Sequence, residues 1–275
     1  MPPDKYTAVW LSHSSINDYL NCPRLYYLRN VYKNPKTGHK ITVMSPPLAL
    51  GQAVHDTISE LAKLPSEERF KEPLMDRFEK AWLKVSGKKG GFTSQEEEQN
   101  YKKRGAEMIQ RIIDNPGPLT QKAIPGKTEL PYYWLSEDDN IILCGKIDWL
   151  SYNEKDDSVH IIDFKTGKRD EDEDSLQLPI YNLLAHNTQE RKVEGASYWY
   201  LDREDTPREV TLPDLNESRE RVYDIAKRIA LARKLDHFTC PNPGTCRHCY
   251  GLEQVFNGKG EFVGTSEYNQ DIYIL

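Results

Sequence analysis

Asp163 and Lys165 stand one residue apart in the run Ile161-Ile162-Asp163-Phe164-Lys165, and in an extended strand that spacing sends both side chains to one face. Asp148 follows a second apolar run, Ile141-Ile142-Leu143-Cys144-Gly145-Lys146-Ile147. The polar stretch 153–158 between the runs predicts a hairpin that sets Asp148 beside Asp163. Two carboxylates and an ammonium so placed suit phosphodiester hydrolysis. That reaction needs a water made nucleophilic near neutral pH and positive charge to offset what develops on the phosphate, and a carboxylate-bound divalent ion supplies both. The ammonium orients the water or stabilises negative charge. An isolated Asp-x-Lys is also common as a plain same-face ion pair, with Asp148 capping a turn, so the surroundings must decide between the two.

A second set of residues carries soft-metal chemistry. Cys240, Cys246 and Cys249 have C-x5-C-x2-C spacing, and Cys22 lies far upstream as a fourth thiol. Four thiolates drawn from both ends of a chain suit a [4Fe–4S] cluster or a structural zinc, and His237 and His248 are alternative zinc ligands. Cys144, inside an apolar run, reads as a small buried hydrophobe. A metal held this way would fasten the N-terminal helix to the tail and contribute to folding.

The elements that must position these groups follow from periodicity. Ser14 is the expected N-cap of a first helix in which Ile16, Tyr19, Leu20, Leu25 and Leu28 recur at helical spacing, with Cys22 at a Pro23 interruption. Helical patterns continue over 48–64, 67–85 and 94–113. After Asn115-Pro116-Gly117-Pro118 the period becomes strand-like over 123–135, 141–152 and 159–165. A helix over 176–185, strands over 195–202 and 208–212, and a long basic helix over 215–235 complete the pattern before the cysteine-containing tail. The expected organisation is a helical N-terminal region over 1–118 with Cys22 and His55, an αβ core over 119–235, and a cysteine-rich region over 236–275 packing back on the N-terminus.

Several ordered motifs now join the Asp-x-Lys. Gly51-Gln52-Ala53-Val54-His55, Gly145-Lys146-Ile147-Asp148, Asp163-Phe164-Lys165-Thr166-Gly167 and Gln177-Leu178-Pro179-Ile180-Tyr181 occur in that order, and the chain from about Leu11 to Cys249 resembles the PD-(D/E)xK nuclease superfamily, in its RecB-like branch. The resemblance implies a restriction-endonuclease-like α/β fold, a central mixed β-sheet flanked by helices, with a helical N-terminal region and a C-terminal cysteine-ligated cluster region. It implies Mg²⁺ or Mn²⁺ bound by His55, Asp148, Asp163 and the Phe164 carbonyl, with Lys165 as the catalytic lysine. Gln177 and Tyr181, one helical turn apart, would serve beside the scissile phosphate. Glu129 is an additional acidic group in the region where the family often carries one. The RecB-like branch, including CRISPR-associated exonucleases and AddB-type domains, has members with one N-terminal and three C-terminal cysteines around an iron–sulfur cluster. Asn21-Cys22-Pro23-Arg24 matches that N-terminal position; Cys240 departs from the commonest arrangement by preceding the C-x2-C pair.

Composition sets the outer limits. Among 275 residues, 37% hydrophobic and 29% charged suits a folded globular chain, and no run reaches the roughly 18 apolar residues of a membrane span. The opening Met-Pro-Pro-Asp-Lys lacks a signal-peptide apolar stretch, so the expected location is cytoplasmic and a disulfide framework is not expected. A net charge of −6 argues against a broadly basic DNA-binding surface, yet positive charge gathers locally over 33–40, 102–104 and 227–234. The expected function is a metal-dependent DNA nuclease preferring single-stranded DNA or single-stranded ends, an exonuclease in DNA repair, recombination or CRISPR adaptation. The alternative is a non-catalytic DNA- or partner-binding subunit of a helicase–nuclease or CRISPR integration complex; such a subunit would normally have lost an acidic ligand or the lysine, and here none is missing. Tyr26, Tyr27, Tyr198, Trp199 and Tyr200 are read as core, with base stacking as their other use.

Overall fold

Ser12, not Ser14, caps the first helix. Its hydroxyl accepts the Ser15 N–H while the Ser15 hydroxyl accepts the Ser12 N–H, a reciprocal cap that starts the helix two residues earlier than apolar spacing suggests. The computed structural model describes residues 4–124 and 130–275. In chain order its elements are β1 (Val9–Leu11), α1 (His13–Asn21), α2 (Pro23–Tyr26) with a π-turn over Tyr27–Val31, β2 (Lys40–Val43), α3 (Pro46–Ala62), α4 (Leu74–Leu83) and α5 (Gln95–Asp114). There follow β3 (Tyr132–Ser136), β4 (Ile141–Cys144), β5 (Trp149–Asn153), β6 (Ser158–Lys165), α6 (Gln177–Thr188), β7 (Lys192–Tyr200), β8 (Arg208–Val210) and α7 (Leu215–Lys234). The tail forms α8 (Tyr250–Phe256), β9 (Glu261–Thr265) and β10 (Gln270–Ile274). Among the described residues no helix is long and apolar enough to cross a membrane.

The strands make three sheets, ordered β1-β4-β3, β2-β10-β9 and β5-β6-β7-β8. In the four-stranded sheet β6 lies between antiparallel β5 and parallel β7. This overturns one expectation in detail. The single strand expected over 141–152 is two strands in different sheets, broken over 145–148, so Asp148 sits just outside the ladder; Trp149 pairs with Ile162, which leaves Asp148 across from Asp163. The helix expected over 67–85 survives only as α4, because Pro73 immediately precedes its first turn. Of the strand expected over 123–135, Ala123 forms an isolated bridge to Ser151 and β3 covers the end; Glu129 lies outside the described residues.

Alternation along β6 divides the core. Ile162 and Phe164 face Trp149, Trp199 and the apolar sides of α3, α4 and α5; Val159 and Ile161 face α1, α6 and α7. On the first side, a Cβ at Gly105 would stand 2.5 Å from Phe78 Cζ, so only glycine lets α5 close on α4 here. Arg69, 2% exposed, crosses beneath this layer: its guanidinium donates to the Leu61, Leu64, Leu119 and Gln121 carbonyls and lies 4.7 Å from the Trp149 ring centroid. Carbonyls thus satisfy a buried cation that forms no ion pair with a carboxylate among the described residues, at about 1.5–3 kcal/mol for each bond to a charged donor. Tyr26, Tyr198, Trp199 and Tyr200 are buried, which makes them core residues, while Tyr27 is partly covered beside Phe238.

Candidate active site

β6 delivers Asp163 and Lys165 to one face, as period two requires, and their side chains meet with Lys165 Nζ 2.9 Å from Asp163 Oδ2. The β5–β6 hairpin brings Asp148 alongside. Its Oδ2 accepts the Phe164 N–H at 3.1 Å and lies 3.3 Å from Nδ1 of His55, which α3 carries in from the opposite face of the sheet. α6 closes the other side: Gln177 Nε2 donates to Asp163 Oδ1 at 2.7 Å, Gln177 Oε1 accepts from Lys165 Nζ, and one turn on the Tyr181 hydroxyl is 3.3 Å from Gln177 Nε2. Together with Thr166 and Gly167, all seven sequence-designated residues (His55, Asp148, Asp163, Phe164, Lys165, Gln177 and Tyr181) line one cleft of about 230 Å³. A larger hollow of about 720 Å³, bordered by Lys122, Ser151, His160, Ser197 and Glu209, holds none of them. Volume alone therefore does not pick out the cleft that gathers these residues.

Electrostatics in the cleft follow from burial and charge proximity. Burial, reinforced by the Asp148 carboxylate, pushes Asp163 up to about 7 against the pull of Lys165. Burial would depress His55, but the neighbouring Asp148 carboxylate outweighs it and holds the imidazole above its ordinary value; reciprocally, Asp148 is held low against the effect of its own burial. Burial opposes the Lys165 charge, and Asp163 and Glu171 together overcome it, so the ammonium stays protonated. Asp163 Oδ2 is buried and, although close to the ammonium, receives no well-directed hydrogen bond. That orphaned oxygen, with two carboxylates and an imidazole on one wall, is a donor set that fits a hard or borderline divalent cation. The three donors are adjacent without being fully gathered, since Asp163 currently faces Lys165 and Gln177.

One consequence is measurable without a substrate. A carboxyl whose value rises from about 4 when unfolded to about 7 when folded favours the folded state only while protonated, so its contribution is lost as pH climbs through that window. In EDTA, Asp163→Asn is expected to melt above wild type at pH 8, with the gap narrowing toward pH 5. Equal melting temperatures at both pH values would count against the buried-charge account.

Glu171 is a contact that sequence reasoning missed. It belongs to the acidic run 170–174, which carries no local signal beyond charge, yet its Oε2 lies 2.7 Å from Lys165 Nζ and its Oε1 accepts the Ser175 hydroxyl at 2.6 Å. Tyr198 lies beneath the same ammonium, 4.9 Å from ring centroid to Nζ.

The cysteines form a separate centre. α1 ends at Cys22 and α8 begins after Cys249, and the Sγ atoms of Cys22, Cys240, Cys246 and Cys249 all lie within 4.8 Å of one another. Leu25, Leu28, Ile41, Leu252 and Val255 enclose them. Cys144 is buried elsewhere, and neither His237 nor His248 joins the group. β10 extends the same corner by pairing parallel with β2, and buried Asp271 accepts from Thr37 and Asn34 and lies 2.9 Å from His39 Nδ1.

The PD-(D/E)XK nuclease superfamily model matches residues 10–250. A solved structure with the same overall fold, named "Putative exonuclease" and from Eubacterium rectale, has 15% sequence identity; the match covers 88% of this chain and 87% of that one at a TM-score of 0.51. No curated protein matches the chain. At that identity the structural likeness speaks for the fold alone, whereas the family match spans most of the sequence and includes the hairpin, α3 and α6. The chain belongs to the PD-(D/E)XK nuclease superfamily.

Proposed function

We propose that this protein is a divalent-metal-dependent DNA nuclease that acts as an exonuclease on single-stranded DNA ends. The observation that carries this reading is the convergence of His55 from α3, Asp163 and Lys165 from β6, Asp148 from the segment just before β5, and Gln177 from α6 on one cleft. His55, Asp148, Asp163 and the Phe164 carbonyl would hold Mg²⁺ or Mn²⁺, whose charge activates water and offsets the negative charge developing on phosphorus. Lys165, kept charged by Asp163 and Glu171, provides the positive partner for the scissile phosphate or the attacking water. Gln177 fixes the Asp163 carboxylate and Lys165 ammonium relative to each other, and Tyr181 adds a hydroxyl to the same wall.

A cleft of about 230 Å³ is large enough for one phosphodiester with its sugar; the preference for single-stranded ends rests on the resemblance to RecB-like nucleases. Binding energy has a local source despite the net charge of −6. Lys40, on β2, has Arg233 and Lys33 as its charged neighbours, and none of the three forms an ion pair with a carboxylate among the described residues. Arg233 meets the Tyr26 hydroxyl at 3.3 Å. Three unneutralised cations clustered together suit a phosphate backbone. Lys33→Ala combined with Arg233→Ala is expected to reduce the salt slope of single-strand binding by about 1.4 and weaken binding on every sequence alike. An unchanged slope would remove the cluster from the binding surface.

Incubation of end-labelled single- and double-stranded DNA with Mg²⁺, Mn²⁺ or EDTA tests the activity. The proposal requires cleavage that depends on the ion and proceeds from an end. Binding without cleavage under every ion would favour the non-catalytic subunit instead.

A further inference from the structure

We propose that the four-cysteine centre holds one tetrahedrally coordinated Zn²⁺ and not the four-iron cluster that a RecB-like resemblance implies. The inference does not depend on the nuclease reading, because it concerns a different set of residues in a different corner of the fold.

Sulfur spacing discriminates between the two occupants. Zinc–thiolate bonds of about 2.3 Å directed to the corners of a tetrahedron place the sulfurs about 3.8 Å apart. In a cubane cluster each thiolate binds a different iron and points outward, which spreads the four sulfurs to about 6–7 Å. Here Cys246 Sγ is 3.6 Å from Cys249 Sγ, Cys249 Sγ is 3.8 Å from Cys240 Sγ, and all four sulfurs fall within 4.8 Å of one another. Those separations enclose one ion. Accepting a cubane would require the buried thiols of Cys22, Cys246 and Cys249 to move outward against a shell formed by Leu25, Leu28, Ile41 and Val255.

Local backbone chemistry is consistent with two metal-binding knuckles. The Cys22 sulfur receives the N–H groups of Leu25 and Arg24, and the Cys246 sulfur receives those of Cys249 and His248. The C-x2-C pair at 246 and 249 has the short spacing of a structural zinc site, and Cys240 precedes it, which is where the sequence leaves the commonest cluster arrangement. Binding replaces the four S–H protons by four Zn–S bonds; the protons pass to solvent, and no oxidant or reductant takes part.

The test uses the full chain, expressed with added iron and zinc, purified without oxygen and dialysed against EDTA to strip loosely held ions. Zinc, iron and acid-labile sulfide are then counted per chain and the visible spectrum is recorded. The expected result is about one zinc per chain, negligible iron and sulfide, and no colour. Asp163→Ala should keep that zinc and Cys249→Ser should lose it, which separates it from an ion at the carboxylates. Cobalt in place of zinc should give the visible bands of a tetrahedral thiolate site. A brown protein with about four irons and four sulfides per chain overturns the proposal, and so does a folded protein that carries neither metal.

Discussion

Lys165→Ala is expected to slow single-turnover cleavage by at least about 10³-fold at saturating metal while leaving the Kd for a single-stranded oligonucleotide within a few-fold of wild type. The reason is local. Lys165 is the one lysine lining the cleft among the described residues, and it neutralises Asp163 at 2.9 Å and Glu171 at 2.7 Å. Without it two carboxylates confront an incoming phosphate, and the barrier rises by the loss of both compensation and attraction. Lys165→Arg is not expected to restore the rate, because a planar guanidinium cannot occupy the space between Gln177, Asp163 and the Tyr198 ring as a compact ammonium does. Asp163→Ala should be equally inactive through loss of a metal-binding oxygen. Rates within tenfold of wild type for either alanine variant would sink the assignment of this cleft as the reaction centre.

Cys22→Ala should have the largest effect on stability. Structural metal binding contributes on the order of 10 kcal/mol of apparent folding free energy, and Cys22 is the sole ligand that ties α1 to the tail. Its loss should release the metal and lower the melting temperature by more than about 10 °C. Differential scanning calorimetry with metal analysis checks both, with Asp163→Ala as the control that retains the cysteine-bound ion. A melting temperature within about 2 °C of wild type would show that the centre carries little of the fold's stability.

The hairpin that carries Asp148, Asp163 and Lys165 was legible because its information is local. Period two places Asp163 and Lys165 together whatever surrounds them, and the polar turn at 153–158 fixes their partner strand. Asp148 was placed correctly beside Asp163 but assigned to a continuous strand. Apolar periodicity is the same on both sides of Gly145, and nothing in it shows that β4 and β5 belong to different sheets. Glu171 illustrates the opposite limit. Its contact with Lys165 depends on how the loop between β6 and α6 folds back, and the acidic run alone gives no means to select one carboxylate from five. The pairing of β10 with β2 joins residues more than 200 positions apart in a parallel ladder, which leaves no adjacent turn signal, so the tail was legible through its cysteines and not through its strands.

That ladder sets an order of events during synthesis. β5, β6 and α6 emerge from the ribosome well before residues 270–274, so the cleft can assemble while the corner that contains β2 still lacks its neighbouring strand. The nascent chain therefore carries an unpaired β2 edge and the lone Cys22 thiol for more than 200 residues of synthesis, which leaves that corner open to mispairing until residues 240–274 emerge.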